Sequence, residues 1–213
     1  MKSTIDIQNK LLSLGFDIGE ADGLIGPHTG NALHDAILSK KLSLADETLK
    51  AFKFDCRQTP NRLTLEGVYG VLKYKEGQKG RITILNTEAW QKHFCQIEVC
   101  GIQVTLHKKI ASQVLGAFAE IELANLTLPE AQQWHPSVIQ AYCARHNLWD
   151  AKRPLSTHTW AAAIDIDPKQ NAVSDTKLGN IPSWVVDILK SWGATWGGDY
   201  RQFKDPMHFQ WMR

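Results

Sequence analysis

Apolar residues at helical spacing open the chain. The first predicted helix carries Ile7, Leu11, Leu12 and Leu14. Gly15 is placed to end this helix, and an Asp-Gly turn and a Gly-Pro pair follow. Pro27 suits the first position of a second helix, because its missing N–H would be unpaired there in any case. The apolar face of that helix comprises Ala32, Leu33, Ala36 and Ile37. Residues 41–58 predict one more helix, which completes a small all-α, three-helix module.

A mixed pattern follows a boundary at residues 57–61, which include Pro60. Segments 81–85 and 96–106 alternate or are rich in β-branched residues, as strands are. Segments 108–126 and 183–192 have helical patterns. The chain therefore predicts an α+β domain at 58–213, with a small antiparallel sheet and flanking helices, preceded by the helical module at 1–57.

Composition narrows the class of protein. Of 213 residues, 43% are hydrophobic and 22% charged, which is typical of a globular protein. A formal net charge of +2 does not indicate a nucleic-acid partner. The most apolar stretch, 110–126, is interrupted by Gln113, Glu120 and Glu122, so stable membrane insertion is not expected.

The first residues lack the apolar core and cleavage site of a secretory signal. We therefore expect synthesis in the cytoplasm. The four cysteines are irregularly spaced, which indicates reduced thiols rather than a zinc knuckle.

The stretch STHTWAAAIDID, residues 156–167, places two polar side chains among small ones. Its last six residues predict a strand on which Asp165 lies on one face. His158 lies in the loop before this strand, and Ser156 is placed to cap the turn. The small residues would allow the backbone to approach closely, so that His158 and Asp165 converge on one point.

A second polar cluster ends the chain. Residues 207–211 alternate as in a strand, with His208 on the polar side and Asp205 in the preceding turn. A hydrolytic zinc site needs three protein ligands and a further carboxylate that accepts a proton from water. His158, Asp165 and His208 could supply the ligands, with Asp205 as the base. From the residues alone, hydrogen-bonded core positions for the two histidines are equally compatible with the pattern.

The pattern Ser156-x-His158-x-x-Ala161-x-Ala163-x-Asp165, followed by Asp205-x-x-His208, resembles the D-alanyl-D-alanine carboxypeptidase and L-alanyl-D-glutamate endopeptidase family of zinc peptidases. Segment 191–200 is also similar to this family. The resemblance implies that His158, Asp165 and His208 bind Zn²⁺ and that Asp205 is the general base. The family has glycine where this chain has Ala161, so a positive φ at that position would strain the ligand loop.

The same family uses an arginine upstream of its first motif, near the substrate carbonyl or carboxylate. The best match is Arg145, with Arg153 as the competitor. A guanidinium suits this role because it stays charged and donates paired hydrogen bonds.

The N-terminal stretch GFDIGEADGLIGPHTGNAL, residues 15–33, resembles the helical peptidoglycan-binding module of bacterial and phage wall hydrolases. Together, the two resemblances imply a zinc-dependent peptidoglycan endopeptidase of the phage endolysin type, most simply one that cleaves L-alanyl-D-glutamate bonds. It would be monomeric and would act on the cell wall after release. The alternatives are a D-alanyl-D-alanine-type carboxypeptidase or crosslink endopeptidase, and a non-catalytic wall-binding protein on a decayed peptidase scaffold.

Overall fold

The computed structural model describes residues 2–24, 26–57 and 65–212. Its α-helices are α1 (Lys2–Ser13), α2 (Pro27–Leu38), α3 (Glu47–Arg57), α4 (Leu65–Tyr69), α5 (Thr87–Gln91), α6 (Lys108–Asn125) and α7 (Ser183–Ser191). Three of them, α1 to α3, lie in the segment predicted as a three-helix module. As predicted, Pro27 occupies the first position of α2. The buried face of α2 includes the four apolar residues that the sequence indicated. None of the described helices is long and apolar enough to cross a membrane.

The strands form small antiparallel sheets. They are β1 (Tyr74–Glu76), β2 (Ile82–Ile84), β3 (Phe94–Val99), β4 (Ile102–His107), β5 (Ile139–Gln140), β6 (Ala163–Ile166), β7 (Thr195–Trp196) and β8 (His208–Gln210). β1 pairs with β2 and β3 with β4, while the largest sheet has the order β5-β6-β8-β7. The expected α+β class is confirmed. The segment predicted as one β-rich run is a hairpin, β3–β4.

The N-terminal helices pack closely against the rest of the protein. Gly30 of α2 faces α6, where a Cβ atom on this glycine would lie 2.7 Å from Cδ1 of Leu115 and 3.3 Å from Cα of Ser112. The absence of a side chain at residue 30 therefore lets the two helices approach each other. From α3, Lys53 forms a 2.7 Å ion pair with Glu120 of α6. Buried residues of both parts belong to one hydrophobic core.

The predicted boundary at 57–61 lies largely outside the described residues. No disulfide links the four cysteines, all of which lie in the described part of the chain.

Candidate metal centre and active-site cleft

Antiparallel pairing of β6 with β8 brings together residues that are far apart in sequence. Asp165 on β6 lies directly opposite His208 on β8. His158 precedes β6 in a 3-10 turn, Thr157–Trp160, in which the Ser156 side chain accepts a hydrogen bond from the backbone N–H of His158. The predicted cap at Ser156 is thus present. All three side chains, those of His158, Asp165 and His208, are buried.

The potential ligand atoms form a compact triangle. Nδ1 of His208 lies 2.9 Å from Oδ1 of Asp165. Nε2 of His158 lies 3.1 Å from the same oxygen and 3.1 Å from Nδ1 of His208. Tetrahedral zinc with bonds of about 2.0–2.2 Å needs ligand atoms separated by about 3.3 Å. The triangle therefore needs to expand by only a few tenths of an ångström to fit such an ion.

The outer nitrogens of both imidazoles have acceptor partners. Nδ1 of His158 donates to the carbonyl oxygen of Ala141 at 2.5 Å, and Nε2 of His208 donates to Oε1 of Gln210 at 3.1 Å. A neutral imidazole has one N–H, so these bonds leave a lone pair on each inner nitrogen. Two imidazole lone pairs and a carboxylate oxygen thus point at one position. This donor set fits a divalent cation, and the outer hydrogen bonds are those that commonly orient zinc-binding histidines.

The charges of the cluster stabilise one another. Burial raises the pKa of Asp165, but in the metal-free cluster a protonated His158 or His208 donates a hydrogen bond to it, which outweighs burial and holds the pKa below its usual value. For His208, burial lowers the pKa because it disfavours the charged imidazole. The Asp165 carboxylate raises this pKa by more, so the net shift is upward. The Asp165 side chain is therefore an anion at neutral pH, as a metal-binding carboxylate must be.

Ala161 closes the turn that carries His158, and it adopts the left-handed conformation with φ of 48° and ψ of 34°. Its N–H donates to the carbonyl oxygen of His158 at 3.0 Å, and its own carbonyl accepts from the N–H of His107 at 2.9 Å. A positive φ at this position is the source of strain expected from an alanine in place of glycine. An L-residue in this conformation costs about 1–2 kcal/mol relative to the right-handed one, so the turn is held by its hydrogen bonds against local strain.

Asp205 lies in the turn before β8, next to the cluster. Its backbone N–H donates to Gly197 at 3.0 Å. A Cβ atom on Gly197 would lie 2.3 Å from the Asp205 carbonyl oxygen, so only glycine permits this approach.

Oδ1 of Asp205 is buried and has no hydrogen-bond partner among the described residues. Burial raises the pKa of Asp205, and the negative charge of Asp165 adds to the effect, although His208 partly opposes it. Such a carboxylate is suited to accept a proton.

A cleft of about 540 Å³ reaches the cluster at His158 and Asp165. Its lining includes Gln103, Tyr142, Arg145, Trp149, His158 and Asp165. Of the two candidate arginines, Arg145 therefore lies in the cleft, and its positive charge acts on Asp205. Arg153 is not part of the lining, and its Nε lies 3.7 Å from Oδ2 of Asp150.

Sequence reasoning missed several residues at this site. Gln210 orients His208, while Tyr142 and Trp149 line the cleft. Burial raises the pKa of Tyr200 to about 12, with further contributions from the charges of Asp205 and Asp165, so its phenol stays protonated beside them. The position of Gln210, two residues after His208 on the same face of a strand, was the only sequence signal for any of these roles.

Asp167 has a structural role. Its Oδ1 accepts hydrogen bonds from the backbone N–H groups of Ser137 and Val138, each at 2.8 Å. The side chain is buried and anchors the segment that leads into β5.

Comparison with known proteins agrees with this geometry. Residues 149–211 match the model of a family described as D-alanyl-D-alanine carboxypeptidase. The match supports a peptidase, in a family of zinc enzymes whose substrates are of the peptidoglycan type. It includes His158, Asp165, Asp205 and His208, but neither Arg145 nor the N-terminal helices. No curated protein and no solved structure matched the chain.

Proposed function

We propose that this protein is a zinc-dependent peptidoglycan endopeptidase in which His158, Asp165 and His208 bind the metal. The observation that carries the proposal is the convergence of two imidazole lone pairs and a carboxylate oxygen on one position, beside the unpartnered Oδ1 of Asp205. Buried polar groups without a partner are rare and need an explanation, and a role toward a metal and a water molecule provides one.

The roles of the side chains follow from their positions. Zinc held by His158, Asp165 and His208 would supply Lewis-acid chemistry for the scissile carbonyl and the attacking water. Asp205 accepts the proton of that water and returns it to the leaving amine. Arg145 stabilises the negative charge that develops on the carbonyl oxygen, and its place in the cleft lining supports this role over Arg153.

We propose that the bond cleaved is L-alanyl-D-glutamate in the murein stem, because a lytic enzyme must break the mesh. The description of the matched family favours a second candidate, a D-alanyl-D-alanine-type carboxypeptidase or crosslink endopeptidase. A non-catalytic wall-binding protein on a decayed scaffold is less consistent with the site, because decay would be expected to remove a ligand or Asp205.

The N-terminal helices α1 to α3 would hold the enzyme on the wall. Their resemblance to wall-binding modules supports this part of the proposal, and so does their close packing on α6, which would fix the bound wall relative to the cleft. The combination is that of an endolysin, which acts on the wall after release from the cytoplasm.

Hydrolysis of purified cell walls tests the proposal. The wild-type chain should clear a wall suspension and release new amino groups, and a chelator should abolish both effects. His158→Ala should be inactive, whereas His135→Ala, a matched change at an exposed histidine, should behave as wild type. Clearing without new amino groups, or activity that survives chelation, would contradict a zinc peptidase.

A further inference from the structure

Two arginines stack on Trp149, which lines the cleft together with one of them, Arg145. The guanidinium carbon of Arg81 lies 4.8 Å from the ring centroid of Trp149, and that of Arg145 lies 5.0 Å from the same centroid. Both distances are within the range of cation–π contacts. Trp149 is 43% exposed, so the ring that both guanidiniums contact is open to solvent.

The backbone fixes this arrangement. Arg81 follows the turn between β1 and β2 and forms an isolated antiparallel bridge with Arg145. A Cβ atom on Gly80 would lie 2.4 Å from the carbonyl oxygen of Trp149, so the turn presses directly on the tryptophan segment. Leu148 and Trp149 both have positive φ, 53° and 59°. Consecutive residues of this kind are strained, and such strain is concentrated at binding and catalytic sites.

Neither guanidinium has a carboxylate partner in the described part of the chain. The hydrogen bond from Nη1 of Arg145 goes to a neutral group, the carbonyl oxygen of His146 at 3.3 Å. The neighbouring Arg153 differs in this respect, because its Nε lies 3.7 Å from Oδ2 of Asp150. Two like charges held beside one ring repel each other, and an anion bound between them would relieve that repulsion. The electrostatics of this arrangement therefore favour a negatively charged ligand.

We propose that Arg81, held on Trp149 beside Arg145, forms a carboxylate-binding subsite for the substrate, an inference that rests on the proposed function. Guanidiniums bind carboxylates through paired hydrogen bonds, and the ring holds the two guanidiniums in place. In a murein stem linked through the γ-carboxyl of D-glutamate, the α-carboxylate of that residue is free. This subsite takes that carboxylate and so places the adjacent L-alanyl bond over His158 and Asp165. Arg81 is a substrate-binding residue outside the metal cluster.

A pair of peptides tests the subsite. One is L-alanyl-γ-D-glutamyl-L-lysine amide, in which the D-glutamate α-carboxylate is the only free carboxyl group. The other carries a carboxamide at that position. Binding of each to the full chain is measured by calorimetry after chelation, so that hydrolysis does not intervene, and kcat and KM are measured with zinc. Wild type should prefer the carboxylate peptide by about tenfold or more.

Arg81→Gln should remove most of this preference and raise KM for the carboxylate peptide, with little change in kcat. Lys79→Gln removes an exposed cation from the same turn and should leave the preference intact. Equal binding of the two peptides by wild type, or an undiminished preference in Arg81→Gln, would overturn the subsite. Preferential binding without hydrolysis of either peptide would support the subsite and contradict the proposed function, so the two failures are distinguishable.

Discussion

Oε1 of Gln210 lies 3.1 Å from Nε2 of His208 and accepts a hydrogen bond from its N–H. The same oxygen accepts a hydrogen bond from the Thr157 hydroxyl at 3.3 Å, while Nε2 of Gln210 donates to the carbonyl of Met212 at 3.0 Å. The amide is thus held in one orientation. Because its oxygen faces His208, the lone pair of the imidazole is on Nδ1, directed at Asp165 and His158.

Gln210→Ala should weaken zinc binding by about 10–100-fold, because His208 loses the partner that fixes its tautomer and ring orientation. Competition with a chromophoric chelator measures the affinity. Gln132→Ala, at an exposed glutamine remote from β8, should bind zinc as wild type does. If the two variants have equal zinc affinity, Gln210 does not position the ligand.

Asp205→Asn should reduce kcat by about 10²–10⁴-fold while zinc content stays at the wild-type level, because the amide cannot accept the proton of water. Asp199→Asn provides the control: its carboxylate lies in the same turn region, but it is half exposed and pairs with Lys190. Full activity of a zinc-loaded Asp205→Asn protein would exclude Asp205 as the base.

His107 should make stability depend on pH. Burial lowers the pKa of its imidazole to about 4, where the unfolded chain has the ordinary value of 6.5. Above pH 6.5 both states are neutral and the residue has no effect. As pH falls from 6.5 to 4 the unfolded chain binds the proton first, so the free energy of unfolding decreases, by at most about 3 kcal/mol.

Urea unfolding at several pH values checks this expectation. Nδ1 of His107 accepts a hydrogen bond from the N–H of Lys109 at the start of α6. Asparagine can also cap a helix, so His107→Asn should fold and should lose much of the pH dependence between 6.5 and 4. His135→Asn should retain it. Identical pH profiles for wild type and His107→Asn would refute the assignment.

Ala161→Gly should change the free energy of unfolding by less than about 1 kcal/mol. Relief of the left-handed strain, about 1–2 kcal/mol, opposes the loss of a buried methyl and the greater freedom of the unfolded chain. Ala162→Gly removes an equally buried methyl where φ is not positive, so it should cost about 1–2 kcal/mol. Denaturant midpoints compare the two variants, and equal destabilisation would mean that Ala161 is not strained.

The sequence predicted the parts of the fold that depend on local pattern. Apolar spacing gave α1, α2, α6 and α7, and Pro27 marked the start of α2. The packing of α2 on α6 could not be predicted from the sequence. This contact depends on a small residue, Gly30, whose role is apparent only when the position of α6 is known.

At the site, spacing and residue type indicated His158, Asp165, His208 and Asp205 as candidates, and the resemblance to the zinc peptidase family selected them over ordinary core positions. The hydrogen bonds that orient these side chains could not be predicted, since Ala141 and Gln210 meet the imidazoles only through strand pairing. The stacking of Arg81 on Trp149 could not be predicted either, because the two residues are 68 positions apart in sequence and two positive φ angles set the ring position.

Identification of the termini released from purified peptidoglycan tests the central claim most directly. Mass spectrometry of a wild-type digest should find new D-glutamate amino termini and matching L-alanine carboxyl termini. These termini should not form in the presence of chelator and should form again when zinc is added back. Release of free D-alanine instead would assign the carboxypeptidase activity. A digest with no new termini, or with termini that form equally in the presence of chelator, would contradict a zinc peptidase built on His158, Asp165 and His208.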